Sequence, residues 1–309
     1  MLLAGLAGSS HAQIAPYPGR VVRIITTAAG SGTDITARII ARGLTAAFGQ
    51  QVIVDNRGIG GVETTVKAPA DGYIVLHYTS PVWLLHHMQE ARWDWQRDLL
   101  TVALVSRTPN IIATHPSLPV TSVKQLIALA KARPVELNYA TGTLGASAHL
   151  SAELFAQMAG VRMTRIYYKG SGPAMNDLIA GQVQLMFPAA GTVTPHVRVG
   201  RLRALAVTTA APTPLAPELP TVAQAGLPGY ESVSLSGYFA PARTPGMIVQ
   251  RLNQEITRVI AEPEHKARMA ALGVELAGST PEAFAELIQS ESARMGPLLR
   301  RAVRAEQGG

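Results

Sequence analysis

Residues 21–34 read VVRIITTAAGSGTD, and this stretch decides the fold class. Its first half is rich in β-branched residues and predicts a buried strand. Gly30 and Gly32 then predict a tight turn, and a helix follows whose apolar residues share one face: Ile35, Ile39, Leu44 and Phe48. Gly49 is predicted to end this helix. A strand that passes through a glycine turn into a helix is typical of a doubly wound α/β domain.

The alternation of short β-branched runs with helical patterns continues along the chain. Further strands are predicted at residues 51–55, 72–79, 137–140, 166–168, 183–187, 204–207 and 232–240. Further helices are predicted at residues 123–133, 147–159, 173–180, 245–261 and 281–304, with a kink in the last of them at Gly296-Pro297. Such alternation indicates parallel sheets that are covered by helices.

The length of 309 residues suits two domains. The last two predicted helices have no strands of their own, so they must pack on a domain that is already formed. We therefore predict a discontinuous first domain of residues 14–107 plus 234–309, and a second domain of residues 108–233 inserted into it. Two chain crossings between doubly wound domains make a hinge, and a hinge makes a cleft that can close on a ligand.

Composition excludes several classes of function. The chain has no cysteine, which excludes disulfides, cysteine-based zinc sites and thiol nucleophiles. Its formal net charge is +7, but lysines and arginines are scattered, and the cluster Arg300, Arg301 and Arg304 is interpreted as a solvated helix end. We therefore expect no nucleic-acid partner. Apolar residues make up 47% of the chain, which is enough for a well-filled core. We also expect the protein to be monomeric.

The first twelve residues resemble the end of a signal peptide. A short apolar run from Met1 to Gly8 precedes Ser10-His11-Ala12, which has small residues where signal peptidase requires them. The basic segment that normally precedes the apolar run is missing. We interpret residues 1–12 as a truncated signal peptide cleaved after Ala12, with an ordinary apolar tail as the alternative. A signal peptide would place the protein in the periplasm.

The turn after the first strand is a candidate anion site. Glycines let the backbone turn tightly and expose its amides, and the helix that begins there has free N–H groups and a positive dipole end. The candidate residues are Gly30, Ser31, Gly32, Thr33 and Asp34. The alternative is that Thr33 or Asp34 only caps the helix.

A second loop repeats this pattern. Residues 139–149 read YATGTLGASAH and again join a strand to a helix through glycines and hydroxyl side chains. The candidate residues here are Thr141, Gly145, Ala146, Ser147 and His149. Ligands of open α/β sheets bind at the carboxyl ends of strands, so two such loops can face each other across a cleft. His149 is either a donor to the anion or a buried histidine at the helix start.

Three further positions are candidates at the same cleft. Thr79 and Ser80 end the third strand and offer two hydroxyl groups. Lys169 follows a strand of the second domain and would add positive charge, although an exposed turn lysine is the alternative.

Catalysis has little support in the sequence. The spacing of His77, His86 and His87 matches no metal motif, and no Gly-x-Ser-x-Gly motif is present. The Gly30-x-Gly32 turn, with Asp55 at the end of the next strand, is similar to a dinucleotide site, but Ile35 stands where the third glycine belongs. A nucleotide-dependent oxidoreductase is therefore the alternative function, and we expect no cofactor.

An ordered series of short motifs resembles the Bug-type solute receptors of tripartite tricarboxylate transporters. The landmarks are residues 17–18 (YP), 33–38 (TDITAR), 54–57 (VDNR), 67–73 (KAPADGY), 137–140 (LNYA), 149–150 (HL), 168–170 (YKG), 173–174 (PA), 202–207 (LRALAV), 220–223 (PTVA) and 225–231 (AGLPGYE). The resemblance implies two α/β domains like those of type II periplasmic binding proteins, with a small carboxylate held by main-chain amides of both loops. It also implies delivery of that acid (a dicarboxylate, an amino acid or an aromatic acid) to a membrane permease.

Four departures from the family pattern concern the pocket. Residues 27–31 read TAAGS where the family usually has FPPGG, and Pro188 stands where an aspartate is usual. Residues 58–61 form a shortened segment, and Leu144 occupies a usually small or polar position. The loss of charge predicts a preference for a less polar acid, with Pro188 among the ligand-binding residues.

Overall fold

The computed structural model describes residues 17–142 and 144–307. The predicted signal peptide, residues 1–12, lies outside this part of the chain. The described residues form two α/β units, each built on a five-stranded sheet.

Ten strands and eleven α-helices alternate along the described part of the chain. The strands are β1 Val22–Thr26, β2 Val52–Asn56, β3 Ile74–Thr79, β4 Leu99–Pro109, β5 Ile111–Thr114, β6 Asn138–Thr141, β7 Thr164–Tyr167, β8 Leu185–Met186, β9 Arg203–Val207 and β10 Val233–Pro241. The helices are α1 Gly32–Phe48, α2 Gly60–Val66, α3 Pro81–Leu84, α4 Trp95–Asp98, α5 Val123–Ala132, α6 Ser147–Ala159, α7 Ser171–Ile179, α8 Ala190–Arg198, α9 Gly246–Ala261, α10 Pro263–Ala271 and α11 Pro281–Gln307. A 3₁₀ turn, Leu85–His87, follows α3.

The two sheets have the same layout. The first has the order β2-β1-β3-β10-β4, with β1 parallel to β2 and β3, and β10 antiparallel to β3 and β4. The second has the order β7-β6-β8-β5-β9, with β6 parallel to β7 and β8, and β5 antiparallel to β8 and β9. The predicted class, two doubly wound α/β domains, is confirmed.

The chain passes between the sheets on two neighbouring strands. β4 belongs to the first sheet and leads through the fully buried Asn110 directly into β5 of the second. β10 returns to the first sheet, and its first residue, Val233, pairs with Pro109 at the end of β4. The second sheet is thus inserted between these crossing strands, although the residue boundaries of the two domains stay a prediction.

Helix α1 forms for the reasons that the sequence suggests. Ile39, Ile40 and Leu44 are buried along its apolar face. Gly49 ends the helix in the left-handed conformation with φ 64°, as predicted. At its other end the N-cap is Ser31, whose Oγ accepts a hydrogen bond from the Asp34 N–H. The alternative interpretation, in which Thr33 or Asp34 caps the helix, is therefore wrong.

Several element boundaries differ from those expected. The sequence pattern does not indicate β4 as a strand, because this strand is buried almost throughout and shows little apolar–polar alternation. Helix α7 begins two residues earlier than predicted, at Ser171, and β8 spans only Leu185–Met186. Helix α11 continues through Pro297 to Gln307, which is possible because a continuous helix tolerates the loss of one N–H donor when its apolar face is well packed.

Candidate ligand site between the two sheets

A cavity of about 130 Å³ lies where α1, the crossing strands and the second sheet meet. Residues of the first sheet unit, of the crossing strands and of the second unit all line it: Gly32, Thr33, Thr36, Thr79, Ser106, Thr108, Ala189, Ser234, Ser236 and Val274. Seven of these ten side chains carry a hydroxyl group, and none of these described lining residues is charged. The cavity is therefore suited to a small polar ligand that is held by hydroxyls and main-chain groups.

The crossing strands supply four of the hydroxyls as two cross-strand pairs. Ser236 of β10 lies opposite Ser106 of β4, and Ser234 lies opposite Thr108. Alternate residues of a strand face the same side of the sheet, so these four hydroxyl residues share one face. None of them is among the residues selected from the sequence. The signal was present, however, as two serine or threonine residues at a spacing of two in each strand.

The N-terminus of α1 presents main-chain amides to this cavity. Gly32 and Thr33 are the first two residues of the helix, and both line the cavity. The first amides of a helix have no partner within it, and the Ser31 side chain takes only the Asp34 N–H. The Gly32 and Thr33 amides are therefore available to an anion, at the positive end of the helix dipole.

Asp34 does not face the ligand site. Its side chain is only 4% exposed, and its carboxylate accepts hydrogen bonds from the Gly30 N–H at 2.9 Å, from Asn56 Nδ2 at 2.8 Å and from Arg38. Burial alone would raise the pKa of Asp34, but these three donors outweigh it and hold the pKa below its usual range. The prediction of a ligand contact at Asp34 is replaced by a structural role, and Gly30 also uses its amide in this network.

Ser31 is a structural cap, so its replacement should act on stability more than on binding. Its Oγ accepts from Asp34 N at 3.2 Å and lies 2.7 Å from Thr27 Oγ1. We expect Ser31→Ala to lower the free energy of unfolding by about 1 kcal/mol, the usual effect of losing a serine cap. Chemical denaturation of the variant and the parent measures this difference. An unchanged stability together with a tenfold loss of ligand affinity would instead make Ser31 a direct ligand contact.

The second loop also ends in an uncapped helix. Helix α6 begins at Ser147, and its N-cap, Ala146, has no side chain that can accept a hydrogen bond. The amides of Ser147 and Ala148 are therefore left without a partner in the helix. Ser147 Oγ lies 3.4 Å from Asn110 Oδ1, and Asn110 forms a bridge with Ala189, which lines the cavity. Ser147 is thus linked through Asn110 to Ala189, which lines the cavity.

His149 is buried inside the second loop and is not a donor to the cavity. Its side chain is 1% exposed, Nδ1 accepts from the Gly145 N–H at 3.3 Å, and Nε2 lies 2.8 Å from Arg165 Nη1. Burial and, to a lesser extent, the neighbouring Arg165 charge lower the pKa of His149 to about 3, so the ring is neutral. Of the two interpretations of His149, the structure favours the buried histidine that shapes the loop.

Ser80 and Thr141 lie where the two units touch. Ser80 Oγ donates a hydrogen bond to the Gly145 carbonyl at 3.0 Å, which ties the end of β3 to the second loop. Thr141 at the end of β6 is 1% exposed, and its Oγ1 has no hydrogen-bond partner among the described residues. Ser80 therefore serves interdomain contact, while Thr141 keeps an unused hydroxyl at the base of the second loop.

Lys169 and Pro188 are not among the residues that line this cavity. Lys169 is exposed in the turn after β7, as the alternative interpretation held. Pro188 is buried, and its carbonyl accepts the Ile111 N–H at 2.9 Å. Its neighbour Ala189 lines the cavity in its place. Of the residues selected from the sequence, only Gly32, Thr33 and Thr79 line this cavity.

A backbone contact joins the two units at the rim of the cavity. Gly191, in the first turn of α8, lies so close to Leu272 and Gly273 that a Cβ on Gly191 would be 1.7 Å from the Leu272 carbonyl oxygen. Ala189 and Val274, which lie close by in sequence, both line the cavity. The hydrogen bond from Ser80 to Gly145 joins the units at a second place. The two units are therefore in contact at two places beside the cavity.

The acidic residue that a dinucleotide site would use is already paired with arginines. Asp55, which would bind a ribose, accepts hydrogen bonds from Arg57 at 2.8 Å and from Arg23 at 3.1 Å.

Within the part of the chain that the structure describes, no three His, Asp or Glu side chains are grouped to hold a metal ion. Across residues 17–142 and 144–307, no helix has both the length and the apolar character of a membrane span.

Comparison with known proteins places the chain in a family. Residues 36–303 match the model of the tripartite tricarboxylate transporter family receptor, TctC. The chain is 36% identical to a protein encoded in the tcbD-tcbE intergenic region of Pseudomonas sp. strain P51, over 96% of this chain and 93% of that protein. It is 34% identical to BugT of Bordetella pertussis, again over 96% of this chain and 93% of the relative.

Solved structures of related proteins are also similar to this chain. Rpa4515 of R. palustris, solved with adipate, superimposes with a TM-score of 0.84 at 36% identity, covering 91% of this chain and 97% of its own. The periplasmic binding protein BugD superimposes with a TM-score of 0.82 at 29% identity, covering 93% of this chain and 98% of its own. The chain belongs to the TctC family of tripartite tricarboxylate transporter receptors, to which the Bug proteins also belong.

Proposed function

We propose that this protein is an extracytoplasmic receptor that captures a small organic carboxylate between its two domains and delivers it to a membrane permease. It performs no chemistry on the ligand. Binding is reversible and is coupled to closure of the two domains about the crossing strands β4 and β10.

One observation carries this proposal. Gly32 and Thr33, whose amides have no partner within α1, line a cavity that is uncharged and mostly lined by hydroxyl side chains. A carboxylate is the ligand that this arrangement stabilises best, because charge-assisted hydrogen bonds from main-chain N–H groups need no buried cation. The amides of Ser147 and Ala148 at the start of α6 supply a second group of donors from the other domain.

The ligands of relatives support the same class. Rpa4515 was solved with adipate, and MatC of Rhodopseudomonas palustris, 25% identical to this chain with a TM-score of 0.82, was solved with malate. Both ligands are small dicarboxylic acids. Periplasmic location, a permease partner, a monomeric state and the domain boundaries 107/108 and 233/234 are part of the same proposal.

A thermal-shift panel tests the proposal directly. We expect at least one small organic acid to raise the unfolding midpoint by several degrees, because a ligand that binds only the native state stabilises it by mass action. NAD and NADP should cause no shift, since Asp55 is already engaged by two arginines. Stabilisation by a dinucleotide, with no response to any acid, would instead favour the oxidoreductase alternative.

A further inference from the structure

A buried histidine lies directly beneath the hydroxyl residues of the cavity. His77, in the middle of β3, is fully buried, and its Nε2 is 3.3 Å from Ser236 Oγ. Ser236 Oγ is in turn 2.7 Å from Ser106 Oγ. Both serines line the cavity, whereas His77 does not. The three side chains form a continuous chain of hydrogen-bonding groups from the core to the ligand space.

The histidine ring is held in one orientation. It stacks on Tyr238 of β10 with a centroid distance of 4.6 Å and an interplanar angle of 3°. Its Nδ1 makes no hydrogen bond with any described residue. Burial lowers the pKa of His77 to about 3, so the ring is neutral. A fixed, neutral imidazole offers Nε2 as either a donor or an acceptor.

The hydrogen bonds between His77, Ser236 and Ser106 can run in either of two directions. When Nε2 carries the proton, it donates to Ser236, Ser236 donates to Ser106, and the Ser106 hydroxyl is free to donate into the cavity. When Nε2 is bare, Ser106 donates to Ser236 and Ser236 donates to His77, so Ser106 presents a lone pair. The serines thus match a ligand group that accepts, one that donates, or a hydroxyl that does both.

We propose that His77 is a positioning residue for ligand selectivity: through Ser236 it orients Ser106 to bind a hydroxyl group on the carbon chain of the bound acid. This inference rests on the proposed carboxylate function. It replaces the sequence-based expectation of a less polar acid, because an unsubstituted acid would leave buried hydroxyls unpaired. Sites that hydrogen-bond a ligand hydroxyl discriminate strongly against analogues that lack it.

The size of the cavity restricts the acid to a short chain. Its volume is about 130 Å³, which favours acids with a short carbon chain. Short acids that differ by a single hydroxyl are the appropriate probes, and two pairs serve: malate with succinate, and lactate with propionate.

Calorimetric titration of each pair into the full chain tests the proposal. We expect the parent to bind a hydroxy acid at least tenfold more tightly than its unsubstituted partner. Ser106→Ala and His77→Phe should reduce this ratio to about twofold or less. His77→Gln should keep most of the preference, because its amide occupies the place of Nε2. The ratio is the informative readout, since a general loss of stability would weaken both acids together.

A second histidine–serine contact provides the control. His87 Nε2 lies 2.9 Å from Ser292 Oγ, away from the cavity lining, so His87→Phe should leave the ratio unchanged. If His77→Phe fails to fold, Ser236→Ala takes its place, because it removes the link between His77 and Ser106. A parent that shows no hydroxyl preference, or a preference that survives either Ser106→Ala or the variant that removes the His77 contact, overturns the inference and leaves the carboxylate function intact. Failure of every acid to bind overturns the carboxylate function itself.

Discussion

Gly32→Val should abolish ligand binding while leaving the fold intact. The substitution places two methyl groups in front of the Gly32 and Thr33 amides, in space where no atom now lies within 4 Å of a Cβ. Gly32 does not have a positive φ, so a β-branched residue is compatible with its backbone. Loss of two hydrogen bonds to a charged group costs about 3–6 kcal/mol, a reduction in affinity of roughly 100-fold or more. Calorimetric titration with the best acid of the thermal-shift panel measures it.

The chain contains a close control for this variant. Gly60 is also the first residue of a helix and is exposed, and a Cβ placed on it would likewise have no atom within 4 Å. It does not line the cavity, so Gly60→Val should bind like the parent. Both variants should unfold within about one or two degrees of the parent, because neither fills occupied space. Parent-like affinity of Gly32→Val would move the carboxylate site away from the N-terminus of α1.

The strand–turn–helix units can be predicted because local sequence specifies them. β1 and α1 follow from a β-branched run, two glycines and a helical apolar pattern, and the amides of Gly32 and Thr33 follow from the helix start. Helix α5 is likewise located by Ser122, whose Oγ accepts the Gln125 N–H at 3.2 Å. Local rules therefore identify the main-chain part of the site.

The side-chain part of the site depends on long-range pairing that no local rule gives. Ser106 and Ser236 meet only because β4 and β10 pair, 130 residues apart in sequence. The buried state of Asp34 depends on Asn56 at the end of β2, and that of His149 depends on Arg165 on β7. From sequence alone, polar side chains beside a glycine turn, such as Asp34 and His149, are therefore predicted to bind the ligand. In the structure they instead bond to residues of neighbouring strands.

Long-range contacts also determine how the domains close, and Gly191 offers the clearest test. In this structure a Cβ at Gly191 would lie 1.7 Å from the Leu272 carbonyl oxygen and 2.5 Å from its carbonyl carbon. Both atoms are backbone atoms, so no side-chain movement can relieve the overlap. Leu272 directly follows α10, which packs on α9 of the first unit, whereas α8 packs on β5 of the second. An added methyl group at Gly191 therefore opposes closure.

Gly191→Ala should accordingly weaken binding without touching the ligand. Overpacking of this kind costs about 1–3 kcal/mol. An equal penalty on the ligand-bound state lowers the apparent affinity by roughly 5- to 150-fold. Calorimetry measures the affinity, and small-angle X-ray scattering measures whether saturating ligand still contracts the protein. The contraction of the parent should be reduced or lost in the variant.

Gly172→Ala is the matched control for this closure test, because Gly172 is also the second residue of a helix in the second unit. Gly172 is exposed, and no atom lies within 4 Å of a Cβ placed there. The control should therefore bind and contract like the parent. If Gly191→Ala also does so, the contact with Leu272 and Gly273 is not needed for the ligand-bound state. If Gly191→Ala is unfolded at a temperature where Gly172→Ala is native, this contact stabilises the fold itself. Reduced affinity with parent-like unfolding would assign Gly191 to closure of the two units on the ligand.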